Sequence, residues 1–315
     1  MAPSPLAAPA GPTEEVIFFG TPEVAAEVLS ELVKSEIHVS LVVTRPDKRR
    51  GRGSSTMASP VKEVALKNGL TVAETNAEVV NFLESRPSHG GITGVVVAYG
   101  RIIKDPLLSL IPLVNLHFSL LPRWRGAAPV ERAILAGDAR TGSSIMQIEE
   151  GLDTGGVYDM IETPINDDET CEELRSRLGQ IGAAQIIGFL CTGFPLAKAQ
   201  IGTGPHAEKI SSEDLKINWQ ESATQISRLV RVGGAHSMFR GQRFKILSAT
   251  VGPIPPGAKE PGCVVEVQRE GVLVSTGNGG LCLQQVQAEG KKPMAARDWA
   301  NGARVQAGEI FGDVR

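Results

Sequence analysis

The feature that most constrains the fold is an apolar run, Val16-Ile17-Phe18-Phe19, closed by Gly20, with a second run at Val39 to Val43 and a helix signal between them. Apolar runs without alternation mark strands buried on both faces. Thr21-Pro22-Glu23 offers a hydroxyl N-cap, a proline in the first turn and an acid near the positive end of the helix dipole. Val24, Val28, Leu29, Leu32 and Val33 then share one helical face, down to Lys34. Strand, helix, strand in this order dictates a parallel sheet with right-handed crossovers. No G-x-G-x-x-G follows the first strand, so a dinucleotide is not indicated. Pro60 to Asn68 reads as another helix, and Val95 to Gly100 as a central buried strand ending in a Tyr99-Gly100 turn. Open α/β sheets place ligands beyond the carboxyl ends of their strands, which makes that turn a candidate site.

A second strand end carries the chemistry. Val114 to Gly126 begins as a strand and finishes as a Gly/Pro-containing loop. Strand alternation sends Leu116 and Phe118 one way, Asn115 and His117 the other. An amide and an imidazole facing one space suit an active site, and a wet face on an edge strand would produce the same pattern. Ala127 to Leu135 reads as a helix stopped at Gly137. Ser143 to Glu149 reads as a strand that runs into the Gly151–Gly156 turn, and Val157 to Ile165 as its hairpin partner. A long helix is expected from about Asp168 to Leu190. Asp153 lies in the glycine-flanked turn, where an Asp ordinarily makes a local Asx bond. If it instead met His117, a carboxylate would set the tautomer of an imidazole able to do acid/base work near neutrality. Asn115 could then donate to an oxygen gaining charge in a tetrahedral intermediate. No Gly-x-Ser-x-Gly elbow or paired cysteine is evident, which favours direct transfer to an external nucleophile.

Net charge is -3 over 315 residues, so any surface for a polyanion must be local. One such place is Thr44 to Thr56, where Arg45, Lys48, Arg49, Arg50 and Arg52 oppose the single acid Asp47 among glycines and prolines. It reads either as a solvated loop or as an arm for phosphates. Another is Ser222 to Thr250, with Arg228, Arg231, Arg240, Arg243 and Lys245 and no acid. The cysteines Cys171, Cys191, Cys263 and Cys282 form no CxxC pair, which fits a reducing cytoplasm rather than a disulfide scaffold. No His/Cys/Asp cluster has metal-ligand spacing, so no metal is expected. Residues 1–13 lack the basic start and apolar block of a signal peptide and read as a disordered tail. No apolar run approaches the ~18 residues of a membrane span. Residues 14–196 then form the first domain and the Gly/Thr/Pro-rich 197–217 a linker. Residues 218–315 open with a helix from about Ser222 to Arg231. They continue as short strands near Arg243 to Leu247, Gly262 to Val267, Val272 to Ser275 and Leu281 to Gln285, the pattern of a small barrel. Nothing demands an oligomer, and a monomer is expected.

NLHFSLLPRWRGAAPVERAILAGD followed by GLDTGG closely resembles the methionyl-tRNA formyltransferase family. FFGTPEVA, RPDKRRGRG, SPVK, VVVAYG, KISSEDLKINW and GKKPMAARDWANG resemble further segments of that family, so the likeness covers nearly the whole chain after the tail. Asn-x-His with a downstream Asp is shared by folate-dependent formyltransferases generally. SLLPRWRGAAPV combined with GKKPMAARDW is far more specific to the tRNA-modifying branch. The resemblance implies a Rossmann-like formyltransferase domain followed by an OB-like C-terminal barrel that helps hold tRNA. It implies 10-formyltetrahydrofolate as formyl donor, with Ser119, Leu120, Leu121 and Pro122 in the folate loop and Tyr99 and Gly100 near it. The acceptor would be the α-amino group of methionine on initiator tRNA, and Asn115, His117 and Asp153 match the catalytic trio. The amine would attack directly through a tetrahedral intermediate stabilised by Asn115 and His117, with Asp153 assisting proton transfer. Arg52, with Lys48, Arg49 and Arg50, matches the loop entering the acceptor-stem region. Gly233 to Ser237, His206 and the glycine-bearing Ser88 to Gly94 depart from the family's pattern, and none touches the trio. Formyl transfer to an amino sugar or to water would predict no basic arm. A non-catalytic folate- or RNA-binding protein would not need the trio.

Overall fold

The computed structural model describes residues 5–49, 56–255 and 260–312. Two compact units divide the chain. The first takes 1–130, 140–164 and 173–208, and the second 131–139, 165–172 and 209–315. The stretch expected as a linker, 197–217, is therefore shared: residues up to Glu208 fold with the first unit.

The first unit is built on a seven-stranded sheet. Its strands are β1 (Glu15–Gly20), β2 (Val39–Val43), β3 (Val72–Ala73), β4 (Ile92–Val97), β5 (Leu113–His117), β6 (Arg140–Gln147) and β7 (Val157–Pro164). They lie in the order β7-β6-β5-β4-β1-β2-β3. Pairing is parallel from β3 to β5, while β6 runs antiparallel to both of its neighbours, completing the expected hairpin. Helices α1 (Glu23–Lys34), α2 (Pro60–Lys67), α3 (Asn76–Glu84), α4 (Leu107–Leu110) and α6 (Cys171–Thr192) accompany the sheet, while α5 (Pro129–Ala136), between β5 and β6 in sequence, groups from Glu131 onward with the second unit. The N-cap of α2 is Ser59, whose hydroxyl accepts from the Lys62 amide. For α1 the expected Thr21 cap does not form: Pro22 holds the cap position, and the Thr21 hydroxyl donates to Tyr99 O at 3.1 Å, tying the end of β1 to the turn after β4.

Close approach of α6 to the sheet depends on Gly182. A Cβ there would lie 2.3 Å from Leu116 Cδ1, so the absence of a side chain lets the helix rest on the strand bearing Asn115 and His117. Residues 5–13, expected as part of a disordered tail, have no helix or strand but are tied down at several points. Ala8 N–H donates to the Tyr158 hydroxyl (2.9 Å), Gln147 Nε2 donates to Pro5 O (3.2 Å), and Thr13 N–H and Phe194 N–H pair with Leu190 O and Pro9 O (both 2.8 Å). Lys48–Arg49 and Thr56–Met57 pair as a short antiparallel ladder, the base of the basic loop, while Arg50 and Arg52 lie outside the described residues.

The second unit is an antiparallel sheet of β8 (His236–Phe239), β9 (Gln242–Gly252), β10 (Val264–Val267), β11 (Val272–Ser275) and β12 (Gly280–Ala288), ordered β8-β9-β12-β11-β10, with Met294–Ala295 paired to β12. The segment around residue 310 links the two outer strands, Phe239 bridging Phe311 and Cys263 bridging Ile310, which curls the sheet into a barrel. Helix α7 (Ala223–Val232) begins with a full capping box, Ser222 with Gln225. Helix α8 (Ala296–Ala303) was not read from the sequence, and it delivers Trp299 to a core with Phe239, Phe244 and Phe311. The Gly233–Ser237 segment leads into β8.

Candidate active site

β4 and β5 are neighbouring parallel strands, so the turn at 98–100 and the loop from Phe118 to Trp124 leave the same edge of the sheet side by side. Asn115 sits in register with Val96 on one side and Met146 on the other, and His117 pairs with Ser144. Asn115 is half-buried, and its side-chain amide makes no hydrogen bond to a protein group among the described residues. The alternation expected from the sequence holds, since Leu116 turns to α6.

His117 is 6% exposed, and both ring nitrogens are accounted for. Nε2 lies 2.9 Å from Trp124 O. A carbonyl can only accept, so Nε2 carries a proton in either charge state. Nδ1 is therefore the nitrogen left to face other groups, and it lies 3.7 Å from Asp153 Oδ2, longer than a hydrogen bond.

Asp153 does not make the local Asx bond ordinary for its turn. Its Oδ2 accepts from Gly126 N–H at 2.8 Å, far along the chain. Unusual backbone conformations accompany this geometry: Trp124 and Asp153 are left-handed at φ 61° and 52°. Gly126 has φ 121°, and a Cβ there would stand 2.6 Å from Ala207 O, so only glycine brings that N–H to the carboxylate without strain.

The 119–124 loop is held by its own polar groups. Ser119 Oγ donates to Arg123 O (2.6 Å), Ser144 Oγ donates to Ser119 O (2.5 Å), and Leu121 N–H donates to Ser144 Oγ (3.3 Å). Ser119 is fully buried, and Leu121 packs with Met146 and Val157, so these two shape the loop from beneath, while Leu120 and Pro122 remain half-open. Tyr99 likewise turns inward. It is 2% exposed, edge-on to Phe19 at 5.6 Å, with its hydroxyl donating to Asn76 Oδ1, and burial pushes its phenol up. Its backbone and Gly100, whose carbonyl accepts from the Arg45 guanidinium, form the turn after β4.

Two contributors were not legible in the sequence, the Trp124 carbonyl and the Gly126 amide, because backbone groups carry no residue signature.

The Formyl transferase family profile matches residues 14–188, and the profile for the formyl transferase C-terminal domain matches 209–304. Fold and sequence together define a formyl transferase. Methionyl-tRNA formyltransferase of Corynebacterium diphtheriae is 40% identical, covering 94% of this chain and 99% of its own. The Chromobacterium violaceum protein of that name is 39% identical, covering 95% and 99%. The chain belongs to the methionyl-tRNA formyltransferase family. A solved structure of a Helicobacter canadensis N-formyltransferase in complex with folinic acid and dTDP-3-aminofucose superposes with TM-score 0.60 at 19% identity, covering 86% of this chain and 99% of that one. HypX from Aquifex aeolicus in complex with tetrahydrofolic acid gives 0.62 at 14% identity, covering 96% of this chain and 51% of that one. At these identities the likeness is one of fold. Among the described residues no helix is long and apolar enough to cross a membrane.

Proposed function

We propose that the chain formylates the α-amino group of methionine on initiator tRNA in the cytoplasm, with 10-formyltetrahydrofolate as donor and Asn115, His117 and Asp153 as the catalytic residues. The observation that carries this reading is the meeting of His117 Nδ1 and Asp153 Oδ2 beside an Asn115 amide with no protein partner among the described residues. The crevice suits a flat donor. It is edged by backbone at Tyr99 and Gly100 and by the half-open Leu120 and Pro122. The donor, when bound, supplies the formyl carbon.

The protein groups divide the remaining work. An α-amine has a pKa near ~7.7–8, so a useful neutral fraction exists near neutrality without a strong base. Asn115 presents an N–H to the oxygen that gains charge as the amine adds. His117, with Nε2 committed to Trp124, acts through Nδ1 alone, donating to that same oxygen. Asp153 accepts the proton the amine sheds and offsets the charge on the imidazolium; as the oxyanion re-forms its carbonyl, the bond from the formyl carbon to the donor nitrogen breaks, and that nitrogen takes the proton from Asp153 as it leaves. The Gly126 amide, donating to Asp153 Oδ2 at 2.8 Å, holds the carboxylate in place beside His117.

Formyl transfer measured with 10-formyltetrahydrofolate against charged initiator tRNA, uncharged tRNA and an amino-sugar nucleotide tests the assignment. Only the first acquires formyl. Asp153→Asn binds donor normally and does not turn over. Near-normal turnover in that variant, or formyl on either competitor, would overturn the reading.

A further inference from the structure

We propose that Gln200, held by Arg125, is a positioning residue that sets the Asp153 carboxylate against His117. The inference rests on the reading of Asp153 as a catalytic group and adds the part of the molecule that aims it.

The Asp153 turn has little of its own to hold it. It is glycine-flanked, its central residue is left-handed, and a small backbone rotation there would move the carboxylate across the 3.7 Å gap. Gln200 supplies what is missing. Its Nε2 donates to Asp153 O at 2.9 Å and to Gly155 O at 2.8 Å, using both amide hydrogens on the carbonyls of the turn. Its Oε1 accepts from Arg125 Nε at 2.8 Å and from Arg125 Nη2 at 2.6 Å. Arg125 immediately precedes Gly126, whose N–H meets Asp153 Oδ2 at 2.8 Å. These hydrogen bonds close a ring: the Asp153 backbone, Gln200, the Arg125 side chain, the Gly126 amide and the Asp153 carboxylate. Both ends of Asp153 are thereby fixed by two adjacent residues.

Only a glutamine-like amide fits between these neighbours. A guanidinium can only donate and carbonyls can only accept, so the group between them must accept at one end and donate twice at the other. Glutamate would keep the Arg125 pairing and turn lone pairs on the two carbonyls. Lysine or arginine would oppose Arg125. The backbone around Gln200 is also pinned on both sides. Lys198 exchanges two 2.8 Å hydrogen bonds with Val157, and His206–Ala207 pairs in parallel with Arg125–Gly126. The amide is thus delivered by a fixed frame, the condition for aiming a catalytic group.

The test compares Gln200→Ala, Gln200→Glu, Asp153→Asn and the adjacent exposed Ile201→Ala in the full-length protein. The measurements are kcat, KM for each substrate, the pH profile of kcat and the melting temperature. Misplacement on the ångström scale costs about 10- to 100-fold. Both Gln200 variants should lose that much in kcat, with each KM held within about threefold, a shifted pH profile and a melting temperature near that of Ile201→Ala. Should Gln200→Ala fail to fold, Gln200→Glu, which retains the Arg125 pairing, carries the test. Normal kcat in Gln200→Glu alongside an inactive Asp153→Asn overturns the Gln200 proposal alone. Near-normal turnover in Asp153→Asn overturns the reading on which it rests.

Discussion

The backbone carbonyl of Trp124 fixes the proton of His117. With Nε2 committed at 2.9 Å to an atom that can only accept, the imidazole has one working nitrogen, and that nitrogen faces Asp153. His117→Gln offers its amide where Nε2 stands and keeps a donor for Trp124, but it has nothing at the Nδ1 position. His117→Asn offers the reverse. Neither amide can exchange a proton as an imidazole does, so both should lose about 10²- to 10⁴-fold in kcat. Thermal melting should separate them, with His117→Gln the more stable because the buried carbonyl keeps its partner.

Leu116 and Gly182 offer a test of the scaffold rather than the chemistry. Gly182→Ala raises helix propensity by about 1 kcal/mol. It also drives a methyl into a leucine that is 2% exposed, an overpacking cost of about 1–3 kcal/mol. The expected net result is a melting temperature a few degrees lower. The methyl meets only the Leu116 side chain, so Leu116→Ala in the same chain should restore part of the lost stability, and a fall in kcat would show that β5 shifts as well.

Arg240 and Glu309 predict an acid limb of stability in the second unit. The Arg240 guanidinium donates to both carboxylate oxygens, at 2.7 and 2.8 Å, and holds Glu309 below the usual carboxylate range. A carboxylate depressed in the folded state contributes stability above its unfolded pKa, near ~4.3, and loses that contribution as pH falls through the folded value. The pair is partly exposed, so its worth is about 0.5–1 kcal/mol. Glu309→Gln should melt slightly below the parent at pH 7, and the gap should close below about pH 4. A gap that persists at lower pH would assign the loss to packing instead.

The basic loop is best probed by salt. Replacing Lys48, Arg49, Arg50 and Arg52 with alanine should raise KM for the tRNA and flatten its dependence on salt, by up to about one unit of slope for each phosphate left without its cation. Kinetic constants measured across a salt series check this, and an unchanged slope would make the loop ordinary solvated surface.

What could be read from the residues followed the range of the physics. Strand–helix–strand at the start was legible because apolar runs and a helical stripe are local patterns. The shared face of Asn115 and His117 followed from alternation alone. Their meeting with Asp153 did not, since sheet order β7-β6-β5 brings the turn after β6 beside β5, and no local pattern encodes sheet order. Thr21 looked like a cap until the tertiary structure offered its hydroxyl the Tyr99 carbonyl. Helix α8 was passed over because its short apolar face rests on Trp299 and small alanines, and β8 because His236 and Ser237 obscure its alternation. Tyr99 and Leu121 were read as lining a binding site, and their side chains belong to the core.

Phe311 has a consequence for how the chain is made. Its ring lies 4.6 Å from Phe239, 5.4 Å from both Phe244 and Trp219, and 6.1 Å from Trp299, centroid to centroid. It is the last of these aromatics to be synthesised, and with Ile310 it bridges the barrel's two outer strands. Domains mature from the N-terminus as translation proceeds. The first unit, whose residues are all present once Glu208 has emerged, can settle on the ribosome while the barrel still waits for its last aromatic ring. A chain halted short of residue 310 would carry a finished sheet tethered to an open one, with two bare strand edges available to neighbouring chains. Closure of the barrel therefore waits on the segment around residue 310.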